Sequence, residues 1–256
     1  MPINQPPTQP AHPSGGLFTA PATARDRLIV ALDFPEADPA ARMAATLGHT
    51  VGWFKVGKQL FTAAGPDLVR SLNGQGHKVF LDLKFHDIPA TVAGAVRAAA
   101  ELGVGMLTVH ASGGSVMLRA AVEAAGQSPQ PPLVLAVTVL TSMREADLAE
   151  TGVPGRLLDQ AQRLAELAHT AGCGGIVASA HEAAEIRRRL GDGFAIVTPG
   201  IRPATSSNDD QARVLTPAGA IRAGATHLVV GRPITQAQDP QQAAQEIVAE
   251  IAGALK

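Results

Sequence analysis

The chain has 256 residues, 46% of them hydrophobic, and a formal net charge of −1. That length suits one (β/α)₈ barrel and is awkward for two independent domains. Acidic and basic residues are interspersed, Tyr is absent and there is one Trp, so neither the basic face of a nucleic-acid binder nor a base-stacking platform is present.

Residues 1–24, beginning MPINQPPTQPAHPSGG, are rich in Pro and polar residues and lack the basic start and apolar stretch of a secretory signal. They are expected to form a flexible or loosely packed tail ahead of a barrel domain over 25–256. With no apolar run of membrane-spanning length, the expectation is a cytoplasmic protein that binds neither membrane nor nucleic acid. Eight runs rich in Val, Ile and Leu then follow at 27–33, 53–57, 78–84, 105–111, 132–140, 175–179, 194–200 and 226–232. Most read as strands buried on both faces, the mark of a parallel sheet. Between them lie Ala-rich helical stretches, among them 35–48, 90–103, 155–172 and 180–191, which end at Gly48, Gly103, Gly172 and Gly191. Glycine at that position caps a helix C-terminus, and Ala has the best helix propensity. Eight such alternations predict a closed α/β barrel of the TIM type. An open doubly wound sheet loses its main support because no GxGxxG follows the first run. The polar stretch PATSSNDDQ (203–211) reads as a loop at the catalytic end and a candidate lid, and QSPQPP (127–132) as a plain connector. The one cysteine, Cys173, sits in a Gly-rich apolar stretch and reads as a small buried hydrophobe.

Charge belongs in a buried strand only where it is paired or used. Here Asp33, Lys55, Asp82, Lys84 and Asp87 gather near the C-terminal ends of the first three strands, where barrel enzymes build their sites. In a regular strand Asp82 and Lys84, two apart, share one face. With Lys55 on the neighbouring strand and Asp87 on the following loop, an alternating set Lys55–Asp82–Lys84–Asp87 keeps both lysines charged. Such a lysine can protonate a carbanion; the same four residues can equally form a structural ion-pair network. His86 and His110 read as hydrogen-bonded histidines. Metal ligation by Asp82, Asp87 and His86 is opposed by the two lysines. After strands seven and eight come Thr198-Pro199-Gly200-Ile201-Arg202 and Gly231-Arg232-Pro233. Loops in these places commonly hold phosphate through backbone N–H groups. Gly231 admits an anion close to the backbone and Arg232 adds a bidentate contact; the alternative is tight turns with solvated arginines. No HExxH, Walker loop or GxSxG elbow occurs.

These residues carry a family resemblance. DLKFHDIPATV (82–92), supported by ALDFP (31–35), FKVGKQLF (54–61), VHASGG (109–114), VTVLTSM (137–143), VTPGIRP (197–203) and VVGRPIT (229–235), resembles the orotidine 5′-phosphate decarboxylases from about Arg27 to the last helix. The DxKxxD core also occurs in barrel enzymes acting on sugar phosphates, keto-gulonate phosphate decarboxylase and hexulose phosphate synthase. The Pro-Gly-Ile-Arg, Gly-Arg-Pro and Leu-Thr-Ser pieces narrow the choice. The resemblance implies conversion of orotidine 5′-monophosphate to uridine 5′-monophosphate and CO₂, in de novo pyrimidine biosynthesis, with no cofactor or metal. It implies Lys84 as proton donor to C6, Asp82 beside the substrate carboxylate, and Lys55 and Asp33 on the ribose. Thr141 is implied at the pyrimidine edge, with Arg202, Gln211, Gly231 and Arg232 on the phosphate under a closing loop at 203–210. Asp87 and Thr91 are implied to reach the partner's site in a homodimer. The competing readings are a metal-dependent sugar-phosphate decarboxylase or aldolase and a non-catalytic nucleotide-binding protein.

Overall fold

The computed structural model describes residues 18–203 and 215–255. The eight apolar runs form strands β1 (Leu28–Ala31), β2 (Trp53–Gly57), β3 (Val79–Phe85), β4 (Met106–His110), β5 (Leu133–Val137), β6 (Gly175–Val177), β7 (Ala195–Thr198) and β8 (His227–Val230). They pair in parallel, in sequence order, and β8 returns to β1 to close the barrel. Around them run helices α1 (Ala37–Leu47), α2 (Lys58–Ala64), α3 (Pro66–Gly74), α4 (Pro89–Glu101), α5 (Gly114–Gly126) and α6 (Glu145–Glu150). The outer layer continues with α7 (Leu157–Thr170), α8 (Ala180–Leu190), α9 (Pro217–Arg222), the single turn α10 (Arg232–Thr235) and α11 (Pro240–Ala254). Among the described residues no helix is long and apolar enough to cross a membrane.

Alternation along each strand divides the hydrophobic residues between two cores. Ile29, Ala31, Phe80, Met106, Leu135 and Val197 fill the barrel interior. Leu28, Val30, Phe54, Val56, Leu81 and Leu107 face outward and pack beneath the helices. Burial on both faces explains why the runs are continuously apolar. At Gly175 a Cβ would stand 2.5 Å from the Cβ and the carbonyl oxygen of Ala195, so the approach of β6 to β7 requires glycine.

Several strands are shorter than their apolar runs. The run 132–140 forms β5 only as far as Val137, because the rung from Thr138 N to Val177 O at 3.2 Å ends the ladder. Strand β6 stops at Val177, and Ser179 N donates to the Glu182 carboxylate at 3.0 Å to open α8. The last residues of the expected tail, 18–24, run past the N-terminal ends of the strands, largely exposed, with Phe18 and Pro21 making contacts there. Phe18 meets the buried His227 ring edge-on at 6.3 Å, and Arg27 donates to Pro21 O at 3.4 Å and Thr226 O at 3.3 Å.

Candidate active site

The opposite end of the barrel holds the charges expected at the strand ends. Asp33 follows β1, Lys55 lies on β2 and both Asp82 and Lys84 lie on β3. Lys55 Nζ stands 3.0 Å from Asp33 Oδ1 and 3.6 Å from Asp82 Oδ2, while Lys84 Nζ donates to Asp82 Oδ1 at 2.7 Å. Asp82 is buried. Burial pushes its carboxyl pKa up, but the Lys55 and Lys84 ammonium groups and hydrogen bonds from Lys84 and Thr108 outweigh that and hold it below the ordinary aspartate value.

Lys84 does not share a regular strand face with Asp82, as period-two spacing suggests. Its φ is +53°, and among the described residues it is the one non-glycine with positive φ. The β3–β4 register shifts here: Leu81 pairs with Leu107 and Phe85 with Val109, so residues 82–84 stand opposite residue 108. The strand bulges and turns the lysine back onto the carboxylate it follows.

The cavity above this chain measures about 340 Å³. Asp33, Lys55, Asp82 and Lys84 line it, together with Val137 at the end of β5, Val139, Leu140 and Thr141 from the segment that follows, and Gly200, Ile201, Arg202, Gly231 and Arg232. Arg202 is buried, its backbone N bonded to Leu215 O at 3.3 Å. Arg232 is exposed at the start of α10. The turn before Arg202 depends on Gly200, whose φ of +76° disfavours any residue with a Cβ.

The structure therefore brings together Asp33, Lys55, Asp82, Lys84, Thr141, Arg202, Gly231 and Arg232. Asp87 and Thr91 do not join them within the chain. Both are exposed and absent from the cavity lining, and the Asp87 carboxylate accepts from Ile88 N at 2.6 Å. The four-membered alternating set of the sequence is thus Asp33–Lys55–Asp82–Lys84, because Asp87 lies beyond the bulge on an outward-facing loop. Gln211 and the loop beyond Pro203 lie outside the described residues. The His86 and His110 rings lie 5.3 Å apart, tilted at 40° to one another. Burial, then repulsion from His86, Lys58 and Lys84, lowers the His110 pKa to about 4 despite Asp82. Cys173 is buried and its thiol pKa is pushed up to about 12 by desolvation, which fits an inert packing residue.

Sequence reasoning missed Thr108. It is fully buried on β4, donates from Oγ1 to Asp82 Oδ1 at 3.0 Å and accepts from Lys84 N at 2.8 Å. The available signal was its inward parity with Met106 and His110, since a β-branched residue in an apolar strand draws no notice by type.

A lysine–carboxylate chain facing two arginines across the C-terminal mouth of a (β/α)₈ barrel defines a barrel enzyme site for a small anionic substrate. Family comparison makes the assignment narrower. The chain belongs to the orotidine 5′-phosphate decarboxylase / HUMPS family, whose profile matches residues 26–247. It is 55% identical over 226 residues to the orotidine 5′-phosphate decarboxylase of Alkalilimnicola ehrlichii, covering 88% of this chain and 96% of that protein. Identity to the Halorhodospira halophila protein of the same name is 56% over 228 residues, covering 89% and 97%. The crystal structure of orotidine 5′-phosphate decarboxylase from Lactobacillus acidophilus superposes with a TM-score of 0.80 at 39% identity, covering 88% of this chain and 98% of that one.

Proposed function

We propose that this protein decarboxylates orotidine 5′-monophosphate to uridine 5′-monophosphate and CO₂, a step of pyrimidine biosynthesis, in the cytoplasm and without a cofactor. The observation that carries the reading is the Lys84 ammonium held 2.7 Å from Asp82 at the cavity wall, with Lys55 on the other carboxylate oxygen. As the C6–carboxylate bond breaks, its electron pair stays on C6, CO₂ departs and Lys84 Nζ delivers a proton to C6. That carbon has no enolate-like delocalisation, so fixed charge has to stabilise it, and a lysine set in place before the reaction costs no reorganisation. Asp82 faces the departing carboxylate and holds Lys84. Asp33 and Lys55 bind the ribose, and Thr141 meets the pyrimidine edge. The phosphate is held by Arg202, Gly231 and Arg232, with Gln211 and the 203–210 loop closing over it. Binding energy from that remote group is available to drive closure.

The reading includes a homodimer in which Asp87 and Thr91 serve the partner's site. Supporting it, both lie outside their own cavity, beside the exposed Ile88, which is 67% accessible. His86 on this loop abuts Gly113, three residues before Val116, which is 61% accessible.

The test is the loss of orotidylate absorbance with purified protein in chelator. Wild type should convert substrate, and Lys84→Ala should be nearly inactive with an unchanged circular dichroism spectrum. Mixing inactive Lys84→Ala with inactive Asp87→Ala should restore roughly a quarter of wild-type activity, because half the dimers then hold one intact composite site. An active Lys84→Ala protein would overturn the acid, and mixtures that stay dead would overturn the shared site. Turnover of sugar phosphates only with magnesium would assign the chain to the metal-dependent branch of the family instead.

A further inference from the structure

We infer that Thr108 is a positioning residue for the reaction, its single hydroxyl holding the Asp82 carboxylate and the bulged Lys84 backbone in one geometry. The inference rests on the decarboxylase reading and adds to it a residue outside the cavity lining.

Thr108 faces inward on β4 between Met106 and His110, at a place where an apolar residue would fill the barrel as Leu135 does on β5. It is 0% exposed, and a buried hydroxyl without partners is destabilising. Here both of its functions are used. The O–H donates to Asp82 Oδ1 at 3.0 Å, the oxygen that also receives Lys84 Nζ at 2.7 Å. Its lone pair accepts the Lys84 N–H at 2.8 Å. A hydroxyl has one proton to give and lone pairs to receive, so the same atom fixes the acid at its backbone and its carboxylate partner at the head group.

The bulge explains why a side chain is needed for this. Residues 82–84 stand opposite one residue of β4, and the Lys84 N–H takes the Thr108 side chain in place of a ladder carbonyl. Lys84 also sits at φ +53°, a conformation strained for a residue with a Cβ that persists only where the surroundings enforce it. Thr108 supplies that enforcement from the neighbouring strand. Valine has the same outline and neither function. Replacing Thr108 with it leaves Asp82 Oδ1 one donor short and the Lys84 N–H unbonded, which frees Nζ to leave its place beside C6.

The experiment compares wild type, Thr108→Val and Thr108→Ser for kcat and KM with orotidylate, for uridine monophosphate affinity and for melting temperature. The expected result is a kcat loss of roughly 10- to 100-fold in Thr108→Val, the scale of a misplaced reacting group. KM and product affinity should stay within about threefold and Thr108→Ser should recover most of the rate, since the phosphate and ribose contacts are untouched and serine keeps the hydroxyl. Wild-type kcat in Thr108→Val overturns the inference, as does a serine variant no better than valine. A loss of product affinity and melting temperature in proportion to rate also overturns it, in favour of a packing role. If the valine variant does not fold, Thr108→Ala takes its place in the same comparison. Wild type that leaves orotidylate unchanged instead refutes the decarboxylase reading. The crystal structure of the valine variant then decides separately: an unmoved Lys84 Nζ and an unchanged bulge overturn the positioning, and a re-registered β3 upholds it.

Discussion

At Asp82, three donors meet one carboxylate: Lys84 and Thr108 on Oδ1, and Lys55 near Oδ2. Removing water from a carboxylate is costly, and only this density of positive charge and hydrogen bonding keeps it ionised at 9% exposure. An ionised Asp82 repels a substrate carboxylate and attracts the Lys84 ammonium, so one residue serves both halves of the proposed step. Across the cavity the two arginines differ. Arg202 is buried and its backbone is tied to Leu215, whereas Arg232 is exposed on a single helical turn. Arg232 is therefore the cleaner probe of phosphate binding. Arg232→Ala should lower kcat/KM for orotidylate roughly 10- to 100-fold, the worth of one charge-assisted hydrogen bond. Orotidine lacking the phosphate should be turned over equally by both proteins, and steady-state kinetics with the two substrates checks this.

Elements are fitted to one another by small residues as much as by large ones. Strand β6 has three residues, and its first, Gly175, lies where a methyl group would meet Ala195 on β7 and approach Leu135 Cδ2 on β5 to 2.9 Å. Two of those contacts involve backbone or Cβ atoms, which cannot swing aside. Gly175→Ala is expected to destabilise the barrel by roughly 1–3 kcal/mol, the cost of overpacking, read as a lower urea midpoint. The effect should be on stability first, because β6 reaches the cavity only at Val177. The bulge of β3 shows the converse, an element made irregular where the chemistry sits.

On the scale of the whole molecule, both ends of the barrel carry charge, but they bury different groups: Lys55 and Asp82 at the C-terminal mouth and His227 at the N-terminal end. The C-terminal mouth gathers ions, and the N-terminal end buries an uncharged His227 between Phe18 and Trp53. Desolvation, followed by repulsion from Arg27, depresses the His227 pKa to about 3, with Asp26 opposing and Lys78 reinforcing. In the unfolded chain a histidine titrates near 6.5. As pH falls below that value the unfolded state takes up the proton first, so this contribution is fully present above about 6.5 and lost progressively toward 3. Going from pH 7 to pH 5 should remove about 2 kcal/mol on this account, and His227→Leu should flatten the slope of urea stability over that range. An equal slope in the variant would shift the acid sensitivity to other groups, such as the half-buried His110. The segment 18–24 belongs to the same end, so its packing and the neutrality of His227 are coupled.

Much of this was legible from one dimension. Strand count, helix alternation and barrel closure follow from apolar runs and their spacing, because a strand buried on both faces must be apolar throughout. The site's location follows from charge confined to strand ends, and the family from the ordered blocks around DLKFHDIPATV. Tertiary structure decided what depends on neighbours distant in sequence. It placed Asp33 rather than Asp87 in the chain's own ion chain, because the loop after β3 turns outward. It set Phe18 against the His227 ring and Pro21 O against Arg27, contacts that Pro-rich composition does not specify. Above all, it put Lys84 on a bulge and set the Thr108 hydroxyl against it from a strand 24 residues further along. Periodicity assumes a regular ladder, and a register shift is a property of two strands together, so no reading of either one alone contains it.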